Sequence, residues 1–367
     1  MPYYAHKNYI LRANTVKNQV TIRSKEHGEL VHAKNNVGKY TMHERENALK
    51  EWLMQVLELQ DFVLTPLAGD ASFRRYFRVE YNGLTQVIMD APPGKEDLHP
   101  FMHVAQTLEQ AGVCTPQILA SNTQQGFLLL SDLGDQLLLN VLNPETVHHY
   151  YQQAIHTLFK IQRCAIDDPR LAPFDYQFMI KEMNLCPEWF LKAYLSLELS
   201  ETETALLERS IDWIASEVAQ QPLTFIHRDY HSRNLMLVPD ASKLELGVID
   251  FQDAMIGPCT YDLVSLLKDC YISWPRTQVL EWVALFYQQS GLNNHYTLAE
   301  FIRAFDLCGI QRHLKVLGVF SRLHLRDNKP GYLKDLPLTL NYVLECTEIY
   351  PELHPLLHFL QTRVYLP

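Results

Sequence analysis

The sequence predicts an α+β fold of two lobes, a small β-rich lobe followed by a larger, mostly helical one. Three observations carry this. Short alternating or apolar runs separated by turn residues crowd into positions 62–89. Beyond residue 140 apolar side chains recur at helical spacing. That helical pattern is broken only where the apolar runs 223–226, 235–238 and 246–249 flank two polar motifs. The divisions that follow are an extension at 1–41, a first lobe at 42–134 and a second at 135–367.

The chain has 367 residues, 47% of them hydrophobic, which is ample for two lobes. No apolar run approaches the ~20 residues needed to span a bilayer, and the first residues lack a charged-then-apolar leader pattern. Seven cysteines (Cys114, Cys164, Cys186, Cys259, Cys270, Cys308, Cys346) form no C-x-x-C pair. Reduced thiols in a cytoplasmic protein are therefore expected. A net charge of −10 argues against a nucleic-acid partner, since phosphate backbones call for a basic face.

Charge is uneven along the chain. Residues 1–41 hold seven Lys/Arg and two Glu, a net of +5, leaving −15 for the remainder. This segment reads as a flexible extension, and the break at Met42 makes that residue a second candidate start. From His43 to Leu57 apolar residues fall at helical spacing behind an acidic first turn. Residues 62–67 read as a strand, 68–72 as a tight turn and 73–81 as the returning strand. Asn82 and Gly83 then make a hairpin turn into a third strand at 85–89. A small-residue turn at a hairpin tip can lay backbone N–H groups over phosphates, so Gly69 and Ser72 are candidate nucleotide contacts. Residues 97–110 read as a helix ended by Gly112. Residues 116–120 and 127–134 follow. The second is a strand running into a hinge, with Ser131 and Asp132 where an adenine would meet backbone groups.

The first polar motif holds His227, Asp229 and Asn234, matching the H-R-D-x-x-x-x-N pattern of a phosphoryl-transfer loop. The second holds Asp250 in a D-F-G-like turn. An acceptor hydroxyl needs a carboxylate to orient it and take its proton, which suits Asp229. Magnesium at nucleotide phosphates prefers hard oxygens, which suits Asn234 and Asp250. ATP and Mg2+ are the cofactors this implies, and Asp229 with Asn234 the catalytic pair. A lone Asp more often caps a turn. Two motifs in this order and at this range make a kinase the better reading.

On these residues the chain resembles the aminoglycoside phosphotransferase and choline kinase superfamily, small-molecule kinases with a protein-kinase-like fold. The likeness runs from about Phe62 to about Tyr342. Within the superfamily it is similar to the bacterial sugar kinases of cell-wall recycling. Those enzymes phosphorylate the anomeric hydroxyl of N-acetylmuramate and N-acetylglucosamine in peptidoglycan recycling. The runs 69–78, 89–93, 126–134, 227–234, 249–254, 257–263 and 311–318 carry the likeness. It implies that Asp262 braces the catalytic loop and that His227 is a packing residue. It also implies a cation at the end of the third strand, a place that falls on Asp90 here. Arg74, Arg75 and Arg78 on the preceding strand are the candidate substitutes, with Arg75 the narrow choice and Lys95 an outside one. The cation's glutamate partner is Glu96 or Glu109.

An acceptor pocket is expected in the helical lobe. Glu182, Asn184 and Glu188 suit sugar hydroxyls, with Trp189 as an apolar platform. Arg312, His313 and Lys315, with Arg322, Arg326 and Lys329, form a late basic set suited to a carboxylate or phosphate. Each of these cations taken singly reads more readily as a surface residue than as a ligand; the group does not. A protein substrate is disfavoured because only eleven residues separate Asp250 from Asp262, too few for a peptide platform. Kinases of aminoglycosides, choline or homoserine, and a nucleotide-binding pseudokinase, are the competing readings. The late basic set argues against the polycationic aminoglycosides, and the intact Asp229, Asn234 and Asp250 against the pseudokinase.

Overall fold

The structure, a computed structural model, describes residues 42–67, 73–238 and 245–366. The expectations for 1–41, Gly69 and Ser72 lie outside those residues. The small lobe begins with α1 (Met42–Leu57), followed by β1 (Val63–Leu67), β2 (Arg75–Tyr81) and β3 (Leu84–Asp90). It continues with α2 (Leu98–Gln110), β4 (Ile118–Asn122) and β5 (Phe127–Ser131). The five strands form one antiparallel sheet in the order β1-β2-β3-β5-β4. Asn82 and Gly83, with φ of 49° and 74°, supply the left-handed pair that a two-residue hairpin turn requires, and Tyr81 pairs with Leu84.

Strand alternation gives the sheet two different faces. On one, Val79, Ile88, Phe127 and Leu129 bury against Leu49, Trp52 and Leu53 of α1. On the other, Met89, Leu128 and Leu130 join Leu98, Phe101, Val104 and Leu108 of α2 in a core that continues into the helical lobe. Helix α2 earns this position from its sequence. Its apolar residues recur three and four apart, and Asp97 caps it by accepting the His99 N–H.

The large lobe contains α3 (Val147–Gln162), α4 (Tyr176–Met183), a π-helix at Cys186–Tyr194 and α5 (Glu201–Val218). Next come β6 (Leu223–Ile226), β7 (Leu235–Leu237), β8 (Leu246–Val248) and β9 (Met255–Pro258). These make two antiparallel pairs, β6 with β9 and β7 with β8. Strand β9 escaped the sequence reading because its Gly257 and Pro258 look like turn residues. Helices α6 (Tyr261–Leu267), α7 (Arg276–Ser290), α8 (Leu298–Leu325), α9 (Leu336–Ile349) and α10 (His354–Arg363) complete the lobe.

Capping boxes fix the starts of α5 (Ser200 with Glu203) and α8 (Thr297 with Glu300). Helix α8 is the spine, packed by α5, α6, α9 and the π-helix. A Cβ at Gly318 would fall 2.3 Å from the Leu185 carbonyl carbon, so glycine lets α8 approach the α4/π-helix junction. That approach brings Gln311 of α8 to Glu182 of α4.

Candidate active site

Strand β6 ends where the catalytic loop begins, and β7 starts where it finishes, so two short ladders hold the loop at both ends. Arg228 takes a left-handed φ of 77°. The Asp262 carboxylate accepts the N–H of His227 (2.6 Å) and of Arg228 (3.0 Å), pinning this kink from the start of α6. Burial pushes the Asp262 carboxyl up to about 6, although His227 and the two N–H bonds pull the other way. The His227 ring bonds the Ile249 carbonyl (3.0 Å), and the Ile249 N–H donates to the Asn234 carbonyl (3.0 Å). His227 and Asp262 thus tie the catalytic loop to itself and to the neighbouring motif.

Asn234 joins the two motifs. Its Nδ2 donates to the Asp229 carbonyl (2.9 Å) and to Asp250 Oδ2 (3.3 Å). Asp250 has a φ of 62°, a strained conformation for a residue with a side chain, and it projects from the end of β8. Gln252 holds its other oxygen, donating from Nε2 to Oδ1 at 2.6 Å. No group of three or more His, Cys, Asp or Glu suited to a metal occurs among the described residues. One carboxylate and one amide oxygen fit Mg2+ shared with nucleotide phosphates, because Mg2+ takes few protein ligands and keeps its waters.

Asp229 is half-buried, with 36% of its side chain accessible. Burial of the carboxyl raises its pKa, but Lys315, His231, Arg312 and Arg228 outweigh that and hold it well below the usual carboxylate range. His231 is itself pushed down to about 4 by burial, so near neutral pH the three cations carry the effect. The Arg312 guanidinium stands 3.7 Å from Asp229 Oδ1, too far for a hydrogen bond.

On the acceptor side, the Glu182 carboxylate receives Arg228 (2.6 Å) and Gln311 (3.4 Å). Glu182, Arg312 and Lys315 therefore gather around Asp229, together with Arg228. Asn184 and Glu188 are exposed, and among the described residues no hydrogen bond joins either of them to this group. His313 is a correction. Its Nε2–H donates to the Lys268 carbonyl (2.9 Å), its ring stacks on Tyr342, and burial pushes its pKa down to about 3. One residue along a helix turns the side chain through ~100°, which sends His313 into the core while Arg312 faces the loop. The extended basic set is also corrected, because Arg312 and Arg326 lie roughly 21 Å apart along α8. Arg326 pairs with its neighbour Asp327 instead.

A cleft of about 320 Å³ opens between the lobes, lined by Tyr76, Arg78, Val87, Ser131, Asp132 and Asp250 among others. Phe251 also lines it, its ring tilted against Phe101 of α2 with centroids 4.8 Å apart. A wider groove of about 930 Å³ along α2 and β4 contains Gln252 but not Asp250, so of the two it is the smaller cleft that reaches the Asp250 turn. Ser131 Oγ accepts the Gln117 N–H. The Asp132 carboxylate holds the Gly134 N–H (2.9 Å) and Arg78 (2.6 Å). Both residues line the cleft while their side chains brace the hinge.

The narrow choice of Arg75 is corrected. Arg75 shares the α1 face with Phe77 and Val79, where it pairs with Asp90 (2.5 Å) and stands 3.6 Å from Glu46. Asp90 is likewise on the α1 side, fully buried, with Arg45 on its other oxygen at 2.6 Å. On the other face of β3, Val87 lines the cleft and Met89 is buried in the core shared with α2. Arg74 pairs with Glu96 at 3.2 Å.

Arg228, Gln252 and Gln311 went unmarked in the sequence reading. Arg228 lay inside the motif and Gln311 inside the late run. Gln252 lay inside the run 249–254, with no periodic signal to mark it.

The profile described as "APH: Phosphotransferase enzyme family" matches residues 63–301. The N-acetylmuramate/N-acetylglucosamine kinase of Pseudomonas aeruginosa is 42% identical over 294 residues, covering 79% of this chain and 85% of that protein. The enzyme of the same name from Neisseria meningitidis serogroup B is 39% identical over 321 residues, covering 85% and 94%. The choline kinase structure from Streptococcus pneumoniae superposes with a TM-score of 0.59 at 11% identity, over 82% of this chain and 99% of that one.

Proposed function

Because the chain belongs to the phosphotransferase enzyme family, we propose that it transfers the γ-phosphoryl group of ATP to the anomeric hydroxyl of N-acetylmuramate or N-acetylglucosamine. The observation that carries this reading is the surroundings of Asp229. An accessible carboxylate sits among Arg228, Arg312 and Lys315, with Glu182 the acid bonded into the set. That site presents three cations to its carboxylate. It suits a sugar bearing a carboxylate and disfavours the polycationic aminoglycosides.

Asp229 accepts a hydrogen bond from the sugar hydroxyl and aligns it with the γ-phosphorus. As the new O–P bond forms, the bond from phosphorus to the β,γ-bridging oxygen breaks and ADP departs. The hydroxyl proton passes to an Asp229 oxygen. The surrounding cations lower its basicity, which favours transfer of the proton late, once the oxygen is bonded to phosphorus. Mg2+, when bound, neutralises charge on the nucleotide phosphates, and Asn234 and Asp250 are the residues that would hold it. Asn234 also anchors the loop through the Asp229 carbonyl. Arg312 offsets charge developing beside Asp229, and Lys315 and Arg228 hold the acceptor.

The test is ADP release across a panel of amino sugars, choline and aminoglycosides, with phosphorus NMR of the product. The expected result is turnover with both N-acetyl sugars, a lower KM for the muramate, and an anomeric phosphate. Turnover with choline or an aminoglycoside and none with either sugar would overturn the reading.

A further inference from the structure

The small-lobe cations divide sharply. Arg78 donates from Nε and NH2 to Asp132, from NH1 to Asp135 and from NH2 to the Gly134 carbonyl. Those contacts engage each of its guanidinium nitrogens in bracing the hinge. Arg75 and Arg45 are bound to Asp90 on the far face of the sheet. Lys95 is exposed, with its ammonium over the Phe73 ring at 4.8 Å. Met89 on β3 is buried in the apolar core shared with α2. Yet the cleft itself is acidic, lined by Asp132, Asp135 and Asp250. A nucleotide polyphosphate bound there needs a cation in the small lobe.

Arg74 has the remaining geometry. It directly precedes β2, and alternation puts it on the side of Tyr76 and Arg78, both of which line the cleft. Its NH2 lies 3.2 Å from Glu96 Oε2, while Glu96 Oε1 accepts the Phe73 N–H at 3.0 Å. One carboxylate thus holds both the arginine and the backbone that carries it. Glu96 stands two residues before α2, the helix whose Phe101 packs against Phe251, next to Asp250. The pair therefore couples the start of β2 to the helix that backs the metal motif.

Resting on the kinase reading above, we infer that Arg74 is the cation that binds the nucleotide phosphates and that Glu96 is its positioning residue. Together they replace a lysine on β3. Glu96 stretches the guanidinium across the start of the strand, so Arg74 meets the phosphates with its fork oriented and little rotamer freedom left to lose.

The experiment measures ADP affinity by calorimetry and steady-state kinetics for Arg74→Gln, Arg74→Lys and Glu96→Gln, with melting temperatures as a check on folding. Arg74→Gln is expected to weaken ADP binding and raise the KM for ATP about tenfold or more, with a fall in kcat. The KM for the sugar stays within about twofold of wild type in every variant, as expected for a residue remote from the acceptor. Arg74→Lys recovers part of the nucleotide affinity. Glu96→Gln shows a smaller loss of the same kind, largest in KM. ADP affinity and ATP kinetics unchanged in Arg74→Gln would overturn the assignment. So would an equal rise in the sugar and ATP KM values, which marks general loosening of the lobe. Because ADP binding is read directly, a wild-type chain that bound ADP without phosphorylating any sugar would refute the sugar-kinase reading and leave the role of Arg74 still under test.

Discussion

Asp90 and Asp229 are both aspartates surrounded by arginines, and they are opposites. Asp90 is fully buried, and both its oxygens receive guanidinium N–H groups, from Arg45 on one side and Arg75 on the other. Asp229 has cations close by, yet among the described residues no hydrogen bond reaches its carboxylate oxygens, and Arg312 stops at 3.7 Å. The first carboxylate is saturated and can only hold elements together. The second has unfilled lone pairs, and the surrounding charge lowers its basicity. Positive surroundings alone do not distinguish structure from chemistry; unfilled hydrogen-bond capacity does.

The largest expected effect breaks the chemical member of the comparison. Asp229→Asn should lower kcat by about 10²–10⁴-fold while ADP affinity and melting temperature stay near wild type. Steady-state kinetics beside calorimetry would check it, and near-full turnover would show that the proton goes elsewhere.

Next in size is the structural member. Asp90→Ala leaves Arg45 and Arg75 facing each other beneath α1, and should cost about 3–5 kcal/mol of stability. Denaturant unfolding would measure this. The folded fraction should retain its turnover, because Asp90 lies on the face turned away from the cleft. A large loss of kcat at unchanged stability would reverse the roles assigned to the two aspartates.

The smallest effect sharpens the contrast. Lys315 is the strongest of the cations lowering the Asp229 pKa. Removing it by Lys315→Met stabilises the protonated carboxyl relative to the carboxylate, so the pKa rises. The acid limb of the kcat profile should move to higher pH, with activity lost earlier on acidification. A profile superimposable on wild type would mean that Lys315 does not act on Asp229.

Local patterns determined much of this protein by themselves. The hairpin at Asn82–Gly83 was readable because that dipeptide adopts left-handed backbone angles at low cost. Helix α2 was readable from its spacing and its Asp97 cap, and the Asp229, Asn234 and Asp250 set from motif order, since the chemistry fixes both residue type and interval. The faces of side chains in space were decided elsewhere. Whether Arg74 or Arg75 turned toward the cleft depended on which face of the sheet α1 covers, and alternation alone leaves that choice open. His313 looked like a site residue beside Arg312 and Lys315, and only the packing of α8 against α9 showed that its ring belongs to the core. The pairing of Glu182 with Arg228 and Gln311 joins three elements distant in sequence, brought together where Gly318 allows close approach. Sequence records the local preferences of backbone and turn, whereas the availability of a charge depends on neighbours that only the folded chain supplies.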